Sequence, residues 1–312
     1  MSVRAVVFAY HDVGDRCLRV LLSQGIDVPL VVTHVPDPAE PQWFASVERT
    51  AREYEIPVLT PEDPEQASLE RVLTEIRPDF LFSFYYRRML SPRLLQLPRR
   101  GALNMHGSLL PRYRGRAPIN WAILRGEQET GATLHYMVER ADAGDIVDQL
   151  AVPILQDDDA LIVTRKVTAA AEIVLARSLP ALAAGLAPRR PQRLQDGEYF
   201  GRRTPEDGRI DWRQPARAIH NLVRAVAPPF PGAFSDVNGK RWWFHKTRVA
   251  RSRAFAPGPP RLFGEDGRCF IACADGAVLE LLAGRIDDAA LDLRALADEL
   301  MRQPIPLPLA PR

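Results

Sequence analysis

The chain has very little cysteine: Cys17, Cys269 and Cys273 are the only ones in 312 residues. They are odd in number, widely placed and form no Cys-x-x-Cys pair, so neither a disulfide framework nor a zinc site is expected. Cys269 and Cys273, on either side of Ile271, read as core packing. A surplus of one charge is missing too. Lys and Arg number 41 against 39 Asp and Glu, a net charge of +2. That argues against a nucleic-acid partner, whose footprint is a marked basic excess. No uninterrupted apolar run approaches the roughly 18 residues of a membrane span, and the stretch from Met1 to Tyr10 turns polar too soon for a signal peptide. The chain therefore reads as cytoplasmic, with no membrane partner. The turn after the first apolar run lacks Gly-x-Gly-x-x-Gly, so a nicotinamide dinucleotide is not predicted. Internal repeats and low-complexity tracts are absent as well.

What is present is a length sufficient for two domains and 28 prolines in 312 residues, spread through loops and tail as rigid connections. Ala5 to Ala9 is the continuous apolar run of a strand buried on both faces of a parallel sheet. After Tyr10-His11-Asp12-Val13-Gly14, Arg16 to Gln24 reads as a helix. Leu30 to His34 reads as a strand, and Gln42 to Tyr54 as a helix with Trp43 and Phe44 in its first turn. Pro57 to Leu59, Phe80 to Phe84 and Ala102 to His106 continue the strands between helical segments. The alternation predicts an α/β fold with a doubly wound, mostly parallel sheet. Ligands then belong beyond the strand carboxyl ends, where Tyr10, Tyr85 and His106 fall. Thr133 to Val138 and Ile146 to Ile154 read as two more strands, and Ala160 to Gly185 as a long closing helix.

Residues 188–204 read as a linker between a first domain, 1–187, and a second, 205–312. Arg189, Arg190 and Arg193 read as its solvated charges. In the second domain Ile219, Leu222, Val223 and Val226 form one helical stripe. Asn238-Gly239 and Asp275-Gly276 mark two hairpins, which predicts a small β-barrel. Leu293, Leu296, Ala297 and Leu300 mark a last amphipathic helix.

The most informative stretch is Asn104-Met105-His106-Gly107-Ser108-Leu109-Leu110-Pro111-Arg112-Tyr113-Arg114-Gly115-Arg116-Ala117-Pro118. Strand side chains alternate, so Asn104 and His106 point to one face where the sheet gives way to loop. An amide that holds developing negative charge and an imidazole that moves a proton suit chemistry on a carbonyl. Arg112, Arg114 and Arg116 suit phosphate or carboxylate oxygens, or are solvated loop charge.

That stretch, with Gly131-Ala132-Thr133-Leu134-His135 and Arg140-Ala141-Asp142-Ala143-Gly144-Asp145-Ile146, closely resembles the formyltetrahydrofolate-dependent formyltransferases. The resemblance runs nearly end to end, from Phe8-Ala9-Tyr10-His11-Asp12 through Phe82-Ser83-Phe84-Tyr85-Tyr86-Arg87 to Phe200-Gly201-Arg202-Arg203-Thr204-Pro205. Within the family it is greatest to the branch that formylates UDP-4-amino-4-deoxy-L-arabinose, one portion of a bifunctional polymyxin-resistance enzyme of lipid A modification. The resemblance implies a Rossmann-like catalytic domain followed by an OB-like barrel. It also implies 10-formyltetrahydrofolate as co-substrate and a UDP-linked amino sugar as acceptor, with no metal. Asn104, His106 and Asp142 match the catalytic trio. Arg88, Met89 and Leu90 match the backbone that holds the pterin; Arg116 and the run Val138, Glu139, Arg140, Ala141 match further folate contacts. His135 reads as structural. His106 and Asp142 would share proton removal from the amine and delivery to the leaving folate nitrogen, the sequence leaving open which does which; a carboxylate close to His106 favours imidazolium, which would make His106 a second oxyanion donor and leave Asp142 as the base.

Methionyl-tRNA formyltransferase shares fold, donor and trio. Its relatives carry a longer basic loop after the second strand, whereas Thr33 to Gln42 is short and holds no lysine or arginine. Tyr113-Arg114-Gly115-Arg116 and Asn120-Trp121 also favour the sugar branch. An inactive folate-binding module is the reading of another class, and the intact trio speaks against it. The bifunctional relative continues into a domain that prepares the acceptor; this sequence ends at Arg312, so the acceptor is expected to come from another enzyme.

Overall fold

The computed structural model describes residues 3–38, 41–65 and 67–309. Positions 39 and 40 of the Thr33–Gln42 loop, and the last three residues of the proline-rich tail, lie outside the described residues. The chain forms two compact units. The first runs to Pro118 and adds Glu129–Pro153 and Thr164–Gly201; the second takes Ile119–Gln128, Ile154–Val163 and the chain from Arg202 onward.

Up to the end of the first unit the elements are β1 (Arg4–Ala9), α1 (His11–Ser23), β2 (Asp27–Val32), α2 (Val47–Glu53), β3 (Val58–Leu59), α3 (Ala67–Ile76), β4 (Phe80–Phe84), α4 (Pro92–Leu95), β5 (Gly101–His106), β6 (Arg114–Gly115), α5 (Pro118–Leu124), β7 (Glu129–Tyr136), β8 (Ile146–Pro153), α6 (Ala160–Ala184) and β9 (Tyr199–Phe200). Seven strands form one sheet in the order β3-β2-β1-β4-β5-β7-β8. Its pairings are parallel as far as β5; β7 then runs antiparallel to both β5 and β8. The apolar runs explain the parallel part. Ala5 to Ala9 is wholly buried, and Phe80, Phe82 and Phe84 lie along β4 with neighbouring rings 5.7 and 5.4 Å apart. The aromatics of β4 are thus core, and only Tyr85 beyond its end is partly open to solvent.

Two local expectations are corrected. The helix expected over Gln42 to Tyr54 starts only at Val47, and Trp43 and Phe44 precede it. Ser46 caps that helix by accepting the Arg49 N–H at 3.2 Å, and Asp12 holds the preceding loop through the Ala45 N–H at 2.8 Å; a good N-cap outcompetes a helix start nearer Pro41. Conversely α1 begins at His11, five residues before Arg16. The connector packs against the first unit at several points. The backbone of Arg190 exchanges two hydrogen bonds with Ile146, and the Arg189 guanidinium lies 3.7 Å over the Tyr136 ring. β9 pairs in parallel with β6. This segment is a strap on the first unit, with Arg189, Arg190 and Arg193 exposed along it.

α6 is long and apolar enough to cross a membrane by length and composition, with half of its most apolar stretch buried inside the protein. Val163, Val167, Ala170, Ala171, Val174, Leu175 and Leu182 are all buried, at the spacing of one helical face.

The second unit adds α7 (Ala216–Ala225), β10 (Ala233–Val237), β11 (Lys240–Ala254), β12 (Arg261–Glu265), β13 (Arg268–Ala272), β14 (Ala277–Ile286), β15 (Ala289–Ala290), α8 (Leu293–Arg302) and β16 (Ile305–Pro306). Both hairpins form: Val237 pairs Lys240 across Asn238-Gly239, and Ala272 pairs Val278 across Asp275-Gly276. The result is a curled antiparallel sheet, ordered β10-β11-β14-β13-β12-β16. Trp212, Ile219, Val223, Phe244, Ile271 and Leu300 belong to its core. Cys269 and Cys273 lie in the same core, and Cys17 is buried in the first unit.

Candidate active site

β5 delivers Asn104 and His106 to one face of the sheet's carboxyl end, and β7 lies antiparallel beside it with Asn104 opposite His135. The loop after β7 brings in Asp142. Asp142 Oδ1 lies 3.5 Å from His106 Nδ1, 3.5 Å from His135 Nε2 and 3.5 Å from Asn104 Nδ2. These are electrostatic contacts longer than good hydrogen bonds, as is common before substrate draws a site together. The other oxygen, Oδ2, accepts the Gly115 N–H at 2.8 Å. Asn104 Nδ2 is 3.1 Å from His135 Nε2.

The backbone fixes the tautomers. His106 Nε2 is 2.8 Å from the Tyr113 carbonyl, and His135 Nδ1 is 2.8 Å from the Tyr136 carbonyl. A carbonyl only accepts, so each of those nitrogens carries a proton. In a neutral ring the nitrogens facing Asp142, Nδ1 of His106 and Nε2 of His135, are then basic. Burial works against the Asp142 charge, but nearby His106 and His135 and the Gly115 amide outweigh it and hold the carboxyl well below the usual carboxylate range. Asp142 keeps 13% of its side chain exposed and Asn104 is half-buried, so the cluster opens to solvent.

Two backbone features make this geometry possible. Asp142 itself has φ +54°, a left-handed conformation that Asp tolerates better than most residues. Gly115 has φ +96°, and a Cβ there would sit 2.2 Å from the Phe200 carbonyl oxygen. Only glycine lets β6 lie against β9 and still aim its N–H at Asp142.

The segments that match folate contacts also lie near strand ends. The Arg88 guanidinium donates to the Pro61 carbonyl at 3.0 Å, while Met89 is 61% exposed. Leu90 turns its side chain into a core patch with Phe8, Leu81 and Tyr86, against which Met137 also packs. Met137 leads directly into Val138, Glu139 and Arg140, all exposed, and half-buried Ala141. Arg116 donates to the Arg87 carbonyl at 3.3 Å, joining the two loops. His34 Nε2 accepts the Arg87 N–H at 3.0 Å and its ring stacks on Tyr86 at 4.2 Å. An exposed apolar side chain beside free backbone suits a flat heterocycle. Among the described residues no group of three or more His, Cys, Asp or Glu is placed to hold a metal ion.

Residues 4–179 match the formyl transferase family, and residues 202–297 match the formyl transferase C-terminal domain. The chain belongs to the formyl transferase family. It is an enzyme fold shared with several solved structures. WlaRD, a sugar 3N-formyl transferase solved with dTDP and 5-N-formyl-THF, is 19% identical with a TM-score of 0.72, over 94% of this chain and 99% of that one. The N-formyltransferase from Helicobacter canadensis, solved with folinic acid and dTDP-3-aminofucose, is 20% identical with a TM-score of 0.69, over 90% and 99%. HypX from Aquifex aeolicus, solved with tetrahydrofolic acid, is 21% identical with a TM-score of 0.64, over 97% and 48%.

Two side chains of this formyl transferase depend on packing the sequence does not show. His135, read as structural, is buried at the centre of the cluster, 1% exposed. Its signal was the strand alternation of Gly131 to His135, but only the β5–β7 register makes it a neighbour of Asn104. Arg114 is neither solvated nor displayed to a ligand. It is 4% exposed, donates to the Leu194 and Gly197 carbonyls, and burial followed by nearby Arg140 pulls its guanidinium below the ordinary value.

Proposed function

We propose that this formyl transferase moves the formyl group of 10-formyltetrahydrofolate to the amine of a UDP-linked amino sugar, UDP-4-amino-4-deoxy-L-arabinose, as a step of lipid A modification and polymyxin resistance. The observation that carries the reaction class is the convergence of an amide, two imidazoles and a carboxylate around Asp142 Oδ1. The sugar acceptor is supported by the Tyr113-Arg114-Gly115-Arg116 string, the short acidic loop after β2 and the fold shared with sugar formyltransferases.

Attack of the sugar nitrogen on the formyl carbon places negative charge on the formyl oxygen and positive charge on the nitrogen. The Asn104 amide donates to that oxygen; losing such a donor costs about 3–4 kcal/mol. The proton of the attacking nitrogen passes to His106 at Nδ1, the ring nitrogen not bonded to Tyr113, and from there to the departing folate nitrogen. Asp142 stays ionised beside that ring. Its charge stabilises the imidazolium that forms, as a carboxylate does beside a general-base histidine. Met89, with the backbone around it, and Val138 to Ala141 would hold the folate, and Arg116 would pin the loop between them.

A screen of amino-sugar nucleotides with purified protein and 10-formyltetrahydrofolate, read by mass spectrometry, tests this. Formylation of the UDP-linked 4-amino pentose is the expected result. Formylation of methionyl-tRNA with none of any sugar nucleotide would replace the acceptor, and folate binding without turnover on any amine would replace the activity.

A further inference from the structure

The strap between α6 and the second unit touches the catalytic cluster from two sides. Gln192 Nε2 donates to the Asp142 carbonyl at 3.0 Å and to the Gly144 carbonyl at 2.7 Å. The reversed amide would set its oxygen against both carbonyls, so the orientation follows from chemistry. Farther along, the Arg114 N–H bonds to the Glu198 carbonyl and the Arg116 N–H to the Phe200 carbonyl, at 3.1 and 2.9 Å. The Gly115 N–H between them stays outside that ladder and meets Asp142 Oδ2. The strap thus holds the Asp142 backbone directly, through Gln192, and its carboxylate indirectly, by pairing with the β6 strand that carries Gly115.

We infer that Gln192 is a positioning residue of this enzyme, holding the turn 142–144 so that the Asp142 carboxylate meets His106, His135 and Asn104. The turn needs holding. Asp142 occupies a left-handed conformation, and a Cβ on Gly144 would lie 2.0 Å from the Tyr136 carbonyl oxygen, so the loop is tightly seated on its inner side. On its outer side the Gln192 amide bridges the two carbonyls that flank Ala143. Gln192 Oε1 is buried with no hydrogen-bond partner among the described residues, a cost the two donated bonds must offset. Alanine at 192 frees both carbonyls; asparagine, one methylene shorter, reaches one at most. Either change lets Asp142 drift from its partners, and a misplacement near 1 Å can cost about 10²-fold in rate. The charged and titratable groups around the carboxylate are His106 from β5, His135 from β7 and Arg114 from β6, with Arg140 on its own loop.

The inference rests on the reading of Asp142 as part of the reaction, so its test includes a readout that needs no substrate. In full-length wild type, Gln192→Ala and Gln192→Asn, the 13C resonance of the Asp142 carboxyl is titrated, its assignment fixed by its loss in Asp142→Asn. Steady-state rates are measured beside it. In Gln192→Ala the Asp142 titration should move up toward the ordinary carboxylate range. Its kcat should fall about 10–10²-fold, with KM for the formyl donor within about twofold, and Gln192→Asn should lie between. If the alanine variant does not fold, the asparagine variant carries the same comparison. An Asp142 titration unmoved in a folded variant overturns the inference. Should the wild type formylate no sugar nucleotide, the titration alone decides, and a move upward supports the role of Gln192 whatever the acceptor.

Discussion

Asn104 on β5 and His135 on β7 stand directly opposite each other in an antiparallel pair, their side-chain nitrogens 3.1 Å apart. His135 has Nδ1 tied to the Tyr136 carbonyl, so the ring presents a lone pair to the Asn104 amide. In the proposed reaction that contact sets which edge of the Asn104 amide is left for the formyl oxygen. His135→Ala should therefore lower kcat by about 10²-fold. It also leaves buried polar groups unpaired, and stability should drop by about 1–3 kcal/mol. Rates on the folded fraction, with denaturant unfolding alongside, check both; unchanged kcat would make His135 purely structural.

Gly115 permits a second test. Gly115→Ala adds a methyl group where the Phe200 carbonyl oxygen already lies, at a left-handed φ. The β6–β9 pairing should part, the N–H should leave Asp142, and kcat should fall by at least about 10²-fold. Gly25 is also left-handed, but a Cβ there meets nothing within 4 Å. Gly25→Ala should leave kcat unchanged, separating the clash from backbone strain.

Much of this arrangement is written in local pattern. The wholly apolar Ala5 to Ala9 can only be a doubly covered strand, and alternation places Asn104 and His106 together without coordinates. The hairpins at Asn238-Gly239 and Asp275-Gly276 carry their own turn chemistry. Asp142 is different, since its loop looks like any turn and only resemblance marks it. His135 and Gln192 depend on register and on a return of the chain across tens of residues, which no local pattern encodes. The strap was hidden for the same reason. Proline, arginine and glycine read as a connector, because a two-residue strand such as β9 has no periodicity to detect.

The His34 ring gives a pH prediction. Burial first, then Arg88 and Arg87, lowers its pKa to about 4, against ~6.5 in the unfolded chain. Between those values the unfolded state binds the additional proton, so stability is full above ~6.5 and is lost as pH falls toward 4. Protonation also puts an N–H where His34 accepts the Arg87 N–H. Denaturant titrations at pH 7, 5 and 4 should show wild type losing more stability than His34→Gln, whose amide oxygen still accepts. Equal losses would place the acid sensitivity elsewhere.

In the second unit, Trp212 is fully buried, donates to Ser235 Oγ at 2.9 Å and meets Phe244 edge to face at 5.2 Å. Trp212→Ala should cost about 3–5 kcal/mol by cavity formation, read as a lower midpoint in denaturant. Trp212→Phe removes the indole donor and less volume, and should cost less.

The most direct test of the central claim is tetrahydrofolate release in single turnovers with 10-formyltetrahydrofolate and UDP-4-amino-4-deoxy-L-arabinose, comparing wild type with Asn104→Ala. Wild type should release tetrahydrofolate only when the amino sugar is present, and Asn104→Ala should do so about 10²–10³-fold more slowly with its unfolding midpoint unchanged. Release at the wild-type rate from the folded variant would remove Asn104 from the chemistry and contradict the account.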